Sequence, residues 1–493
     1  MSTVSVDEAG AGASSHEVPH HQMLIGGEWR DAISGERLES VNPATEAVIA
    51  TFPHAGAEDV VAAVVAAEAG FREWRRWSAD KRAGALRALA ARMAEQAEAI
   101  ARLDAIDSGL PIATMRADAR RSSTRTLHFA GLASELKGST FETPEDVTCY
   151  TVREPFGVVG RIVPFNHPFM FAAKIASALA AGNAVVLKPA ETTTLSAIEL
   201  GRMTLGLLPP GVVNVITGLG RTTGRALVQH PAIRRISFTG GTEGGRAVLR
   251  EAAEHLKRVT LELGGKNPMI VFADVDLDKA ATACVRANHL HRTMGQSCQA
   301  TSRVFVHESI HDRFLEALAA KLSALRVGDP LSDETEIGPM NSRAHYERVL
   351  GFIESGNREG ARLVIGGRQL TGRRGYYIEP TLFADVADEM TIGRAEIFGP
   401  VVCVSRWRDF DEVVRRANAT PYGLTANIWT NQLALATRAA RAIEAGYVWI
   451  NGAGQRVEAA PYGGFKMSGP GKEGDLSELL SFTEEKCIET HLV

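Results

Sequence analysis

"GVVGRIVPF" (157–165) is a β-branched run that stops at a proline and an aromatic residue, and its pattern recurs. "NAVVLKP" (183–189), "GVVNVITG" (211–218) and "RRISFTG" (234–240) are also short apolar stretches, each closed by Gly, Pro or a polar side chain. Runs of this length with such boundaries read as buried strands. Between them, residues 193–207 and 243–256 carry helical spacing. Strand and helix in alternation predict an α/β fold, a parallel sheet with helices on its faces.

A second series follows. "PMIVFAD" (268–274), "SRVFVHE" (302–308), "PVVCVSRW" (400–407), "LTANIW" (424–429) and "GYVWIN" (446–451) alternate with helical patterns over 277–290, 310–325 and 410–419. Two α/β units in tandem predict a cleft between them, where ligands tend to bind. Upstream, residues 57–77 and 79–106 are Ala-rich with helical spacing and read as surface helices. Residues 139–153 and the chain from about 480 are β-prone and fit neither unit. They are expected to protrude and make subunit contacts.

The 493 residues exceed one typical core, so two or more domains are expected. A formal charge of −4 over this length gives no basic footprint for nucleic acid or an acidic membrane. The five cysteines are odd in number and far apart, which argues against a disulfide framework and for a reducing, cytoplasmic setting. Residues 1–20 are small and polar and read as a flexible tail. The longest apolar stretch, Phe169 to Leu187, is interrupted by Lys174, Gly182 and Asn183, which is too broken to span a bilayer.

Several motifs suit chemistry. "MGQSCQATSR" (294–303) sets Cys298 in a polar loop that favours access over packing. "VPFNHPFM" (163–170) places Asn166 at a strand end, where its amide is either a turn former or a donor to an oxyanion. "TLELGGKNP" (260–268) puts Glu262 inside an otherwise apolar strand; burial would raise its pKa, as a general base near neutrality needs, unless it is a paired structural carboxylate. "LKPAETTT" (187–194) offers Lys188 and Glu191 to sugar hydroxyls, or to a solvated loop. "FTGGTEGGRA" (238–247) turns through glycines into a helix whose free N–H groups suit a phosphate, although it is no P-loop. "GLGRTTG" (218–224) is one residue too long for a dinucleotide fingerprint. His20 and His21 lie in the tail, while His289 and His291 fall on an expected helix; the histidines form no compact ligand set, so no metal is expected.

In order, these motifs resemble the aldehyde dehydrogenase superfamily, from "LIGGEWRDAISGERLESVNPAT" (24–45) to "PYGGFKMSGPGKEG" (461–474), with "LELGGKNP", "GQSC" and "EIFGPV" (396–401) as the specific combination. The resemblance implies a Rossmann-type cofactor domain, an α/β catalytic domain and a small β oligomerisation element. The expected boundaries are 21–131 with 152–261, then 262–470, then 132–151 with 471–493. It implies a nucleophilic Cys298, a general-base Glu262 and an oxyanion-binding Asn166, which oxidise an aldehyde through a thiohemiacetal and a hydrolysed thioester. It places Pro164, Phe165, Lys188, Glu191, Gly240, Gly241, Thr242, Gly245, Leu263, Glu396 and Phe398 at the coenzyme. A carboxylate at Glu191 favours NAD, with NADP as the alternative. His167, Phe169, Met170, Arg292, Gln299 and Arg456 are implied at the substrate, which would be polar, aromatic or anionic. A homodimer or homotetramer is expected.

The chain departs from the family at Gly241, where a Ser is usual, and at "HRTM" (291–294). Two other readings compete. A CoA-acylating relative would generally lack Glu262, and a non-catalytic relative would be expected to lose Cys298 or Glu262.

Overall fold

The computed structural model describes residues 18–491; the expected tail lies outside them except for its last residues, where His20 is tied to Thr51 and Asp31. The alternation of strand and helix builds two seven-stranded sheets. In the first, strands Val158–Ile162, Ala184–Lys188, Val213–Val215, Ile233–Thr239 and Arg258–Glu262 run parallel, and Met23–Ile25 and Glu28–Arg30 extend one edge antiparallel. Of the five parallel strands, the first in sequence lies between the second and the fourth. The chain therefore winds outward in both directions from Val158–Ile162, and the loops leaving Ile162 and Thr239 part at a crevice over the strand ends. This is the position at which doubly wound sheets take ligands.

The second sheet orders Arg362–Ile365, Thr381–Ala384, Val401–Trp407, Arg303–His307, Pro268–Val271, Thr425–Trp429 and Tyr447–Ile450, parallel except for its first pair. Both β-prone outliers find partners: Thr483–His491 pairs antiparallel with Val147–Pro155, and Thr140–Phe141 completes a three-stranded sheet.

Helices depart from expectation mainly at their ends. The pattern over 79–106 forms two helices, Ala79–Glu95 and Ala97–Ser108, broken at Gln96, and the second stops at Gly109 in the left-handed region at φ +78°. The helix expected over 277–290 ends at Ala287, and His289 itself is left-handed at φ +53° before the short turn Leu290–Thr293. Helix Ile112–Leu132 escaped the sequence reading because Arg, Ser and Thr crowd its middle. Helix Arg343–Arg358 escaped it as well.

Two buried carboxylates on Ala97–Ser108 hold the strand-end loops of the first sheet. Asp104 accepts from the Phe169 N–H at 3.1 Å, and Asp107 from the Leu195 N–H at 3.2 Å. Burial pushes Asp104 up to about 8 and Asp107 up to about 7. The folded protein thus retains protons that the unfolded chain releases above about pH 4, so both groups make stability fall as pH rises from that value toward their folded pKa. Asp104→Asn keeps an oxygen for the Phe169 N–H and is expected to flatten this decline. Denaturation midpoints at about pH 5 and about pH 8 would show it, and an unchanged slope would mean that Asp104 is ionised in the folded chain.

Candidate active site

The crevice opens into a cleft of about 1160 Å³ walled by residues from both α/β units. A second, narrower cavity, called the tunnel below, adjoins it and is lined by Asp118, His167, Met170, Arg292, Gln299, Arg456 and Tyr462 among others. Cys298, Glu262 and Asn166 stand in the walls of both cavities, where cleft and tunnel join. Two loop residues and one strand-end residue, far apart in sequence, converge at one point.

Cys298 precedes strand Arg303–His307, and its loop is pinned by Asn267. The Asn267 amide donates to the carbonyls of Cys298 at 2.7 Å and Ala300 at 3.0 Å, while its oxygen accepts from the Thr425 N–H at 3.0 Å. Burial pushes the thiol up to about 11, and the carboxylates of Glu262 and Glu396 push the same way. Tyr462, whose hydroxyl lies 4.0 Å from Sγ, and Arg456 oppose that rise. Glu262 lies in a strand, as the sequence suggested, and is the last residue of Arg258–Glu262. Its Oε1 is buried without a partner, and burial, then the charge of Glu473, raises its carboxyl well above the usual range. Asn166 spends one amide hydrogen on the Gln296 carbonyl at 2.9 Å, which leaves the other for a ligand.

The family model for the aldehyde dehydrogenase family matches residues 29–488. The chain belongs to the aldehyde dehydrogenase family. It is 44% identical to "Aldehyde dehydrogenase 1" of Tanacetum cinerariifolium over 97% of this chain and 96% of that protein. It is 41% identical to "Aldehyde dehydrogenase tropH" of Talaromyces stipitatus over 96% of this chain and 94% of that one. The NAD+ complex of an aldehyde dehydrogenase from Bacillus cereus superposes with a TM-score of 0.93 at 39% identity, covering 96% of this chain and 97% of the other.

Of the positions that the aldehyde dehydrogenase resemblance assigned to a coenzyme, Pro164, Phe165, Lys188, Glu191, Gly240, Gly241, Thr242, Leu263, Glu396 and Phe398 all line the cleft. Gly245 does not. It faces Leu263, and a β-carbon there would stand 2.7 Å from the leucine side chain, so this glycine allows helix Thr242–Ala253 to pack closely on the sheet. The Thr242 hydroxyl, at the start of that helix, is buried with no partner. Lys188 reaches Glu191 at 3.4 Å. Glu396 accepts from the Gly265 N–H at 3.0 Å, and burial lifts it to about 7. A β-carbon on Gly264 would come within 2.0 Å of the Glu396 carboxylate, so glycine is required there. "GLGRTTG" forms a widened helical turn whose Gly220 and Gly224 line the far end of the cleft. Among the described residues no group of three or more His, Cys, Asp or Glu could hold a metal, and no helix is long and apolar enough to cross a membrane.

On the tunnel side, His167, Met170, Arg292, Gln299 and Arg456 are wall residues, whereas Phe169 is not. Its ring is fully buried in the core behind the loop, because the helix beginning at Pro168 turns it away from the cavity.

Sequence reasoning also left several site residues without a role. His345 and Arg348 of helix Arg343–Arg358 line the cleft, and His345 contacts the Phe398 carbonyl at 2.7 Å. No motif announced them. Lys174, buried beside the tunnel, pairs with Glu473, which also meets Arg161 at 3.1 Å. The signal was the lysine within an apolar run, since a buried cation requires a counter-ion. Tyr462 lay unremarked within a quoted motif. Replacing it with Phe removes the hydroxyl beside Sγ and is expected to move the alkylation of Cys298 to higher pH by roughly one unit, the equivalent of one hydrogen bond to an anion. Alkylation rates followed by mass at the Cys298 peptide would measure this, and an unmoved profile would exclude the hydrogen bond.

Proposed function

We propose that this chain oxidises an aldehyde to the carboxylic acid with NAD+ as oxidant, Cys298 serving as nucleophile, Glu262 as general base and Asn166 as oxyanion donor. The observation that carries this reading is the meeting of these three side chains where the two cavities join. An aldehyde entering by the tunnel presents its carbonyl carbon to Sγ. The thiol passes its proton to solvent water, the S–C bond forms as the C=O π bond breaks, and the carbonyl oxygen becomes an oxyanion opposite the second Asn166 amide hydrogen and the backbone N–H of Cys298. NAD+, when bound in the cleft, supplies the hydride acceptor. The residue left with a thioester is Cys298. The unpartnered Oε1 of Glu262 suits a water, from which the ionised carboxylate takes a proton as the oxygen attacks the acyl carbon. The acid leaves and the thiol is restored.

Coenzyme binding is assigned to the cleft. The open N-terminus of Thr242–Ala253 and the unpartnered Thr242 hydroxyl suit a pyrophosphate, Lys188 and Glu191 a ribose, and Glu396 the second ribose beside Phe398. Glu191 favours a free 2′-hydroxyl over a 2′-phosphate, hence NAD over NADP. We read 21–131 with 152–261 as the coenzyme domain and 262–470 as the catalytic domain. The three-stranded sheet is the oligomerisation element of a homodimer or homotetramer. The five free cysteines support a cytoplasmic setting.

The test is the appearance of reduced nicotinamide with a panel of aldehydes, each run with NAD+ and NADP+ and with and without CoA. CoA-independent NADH formation with stoichiometric acid is expected. Turnover only with CoA would reassign the chain to acyl transfer.

A further inference from the structure

Most charged groups around the tunnel are matched. His167 meets Asp118 at 2.5 Å, Arg121 meets Glu458 at 3.4 Å, and Lys174 meets Glu473. Apart from Glu262 at the junction, whose charge Arg456 feels at longer range, the exceptions are Arg292 and Arg456: among the described residues neither has a carboxylate within 4.0 Å or a hydrogen-bond acceptor, and Arg456 makes only a ring contact. Both are half-buried in the tunnel wall. A cation withdrawn from water without a counter-ion is unfavourable, and an anionic ligand offsets that loss.

The orientation of Arg456 narrows the ligand. Its guanidinium lies over the Tyr462 ring, 4.0 Å from the centroid, and the Tyr462 hydroxyl is 4.0 Å from Sγ of Cys298. That ring contact uses none of the guanidinium N–H groups, which stay free for a planar, bidentate partner. A carboxylate has that shape. The tyrosine ring thus fixes the cation at a set reach from the nucleophile.

We infer that Arg292 and Arg456 form a subsite for a carboxylate at the far end of the substrate, so that this chain acts on small aldehydes that carry a carboxylic acid. The inference rests on the aldehyde oxidation proposed above. Arg121, engaged by Glu458 at the same wall, takes no part in it.

The experiment compares kcat/KM for a series of ω-carboxylate aldehydes of increasing length with that for neutral alkanals of matched length, in the wild type, Arg292→Gln, Arg456→Gln and Arg456→Lys. The wild type is expected to prefer the acid aldehyde, with an optimum at one chain length. Each Gln variant should lower the acid-to-neutral ratio by about 10- to 100-fold, the loss of one charge-assisted bidentate contact, chiefly through KM. Arg456→Lys should recover only part of the ratio. Titration of the wild type with the matching saturated dicarboxylates, which cannot react, should show binding that weakens in both Gln variants. A wild-type ratio of one or less, or variants that slow both substrates equally, would overturn the subsite and leave Arg456 as an electrostatic partner of Cys298. A phosphate-bearing aldehyde preferred over every carboxylate would overturn the choice of anion. Absence of turnover with every aldehyde would instead strike at the oxidation itself, and dicarboxylate binding would still judge the subsite.

Discussion

Cys298→Ala is expected to remove aldehyde oxidation by roughly 10⁴-fold or more, as loss of a covalent nucleophile does, while NAD+ still binds. The thiol lies at the junction of cleft and tunnel, and no other cysteine lines either cavity: Cys284 and Cys403 are buried in the apolar core around the second sheet, and Cys149 and Cys487 lie in the three-stranded sheet. Residual turnover within a factor of ten would mean that the covalent route is wrong. Glu262→Gln separates the two halves of the reaction. With acylation intact and hydrolysis slowed by about 10²- to 10⁴-fold, mixing with aldehyde should give a burst of reduced coenzyme approaching one per site, followed by a slow steady state. A slow first turnover would place Glu262 before the thioester, as the base for the thiol.

The second large effect concerns stability. Glu473 is buried between Lys174 and Arg161, with Arg125 and Glu478 paired nearby at 2.7 Å. Burial alone would raise the Glu473 carboxyl, but Lys174, Arg161 and Arg125 outweigh it and hold the group far below the usual carboxylate range. Glu473→Ala leaves two buried cations without their counter-ion and is expected to destabilise the chain by about 3–5 kcal/mol. Because the folded pKa is depressed, the stability contributed by Glu473 is complete above the unfolded value of about 4.3 and is lost as pH falls below it. The variant should therefore lack that part of the acid sensitivity. Inactivation half-lives at neutral and acid pH would check both points. A loss under about 1 kcal/mol would show that other groups neutralise the cations.

Local pattern was enough to place the central strands of both sheets, since β-branched runs closed by Gly or Pro alternate with helical spacing from residue 157 to 451, but it missed the outer strands Met23–Ile25, Glu28–Arg30, Arg362–Ile365 and Thr381–Ala384. It also isolated Cys298, Glu262 and Asn166, each of which sits oddly for its surroundings: a cysteine in a polar loop, a carboxylate among leucines, an amide at a strand end. What escaped was set by packing over long distances. Phe169 and Met170 are adjacent apolar residues, and only the helix starting at Pro168 decides that one enters the core and the other the tunnel. The break at Gln96 and the left-handed His289 carry no proline or glycine to mark them. Glu473 looks like an ordinary surface acid in "GKEGDLSE"; its partners lie about 300 residues earlier, at Lys174 and Arg161.

That separation bears on how the chain is made. Synthesis runs from the N-terminus, so Arg125, Arg161 and Lys174 emerge long before Glu473 and Glu478. The strand Thr483–His491, which covers Val147–Pro155, is later still. Until Glu473 and Glu478 leave the ribosome, the first sheet can close only by burying three positive charges unanswered, which is strongly unfavourable. Packing around the first sheet is therefore expected to complete only once the segment carrying these carboxylates has emerged. A nascent chain stalled before Glu473 should remain open to protease along its first domain.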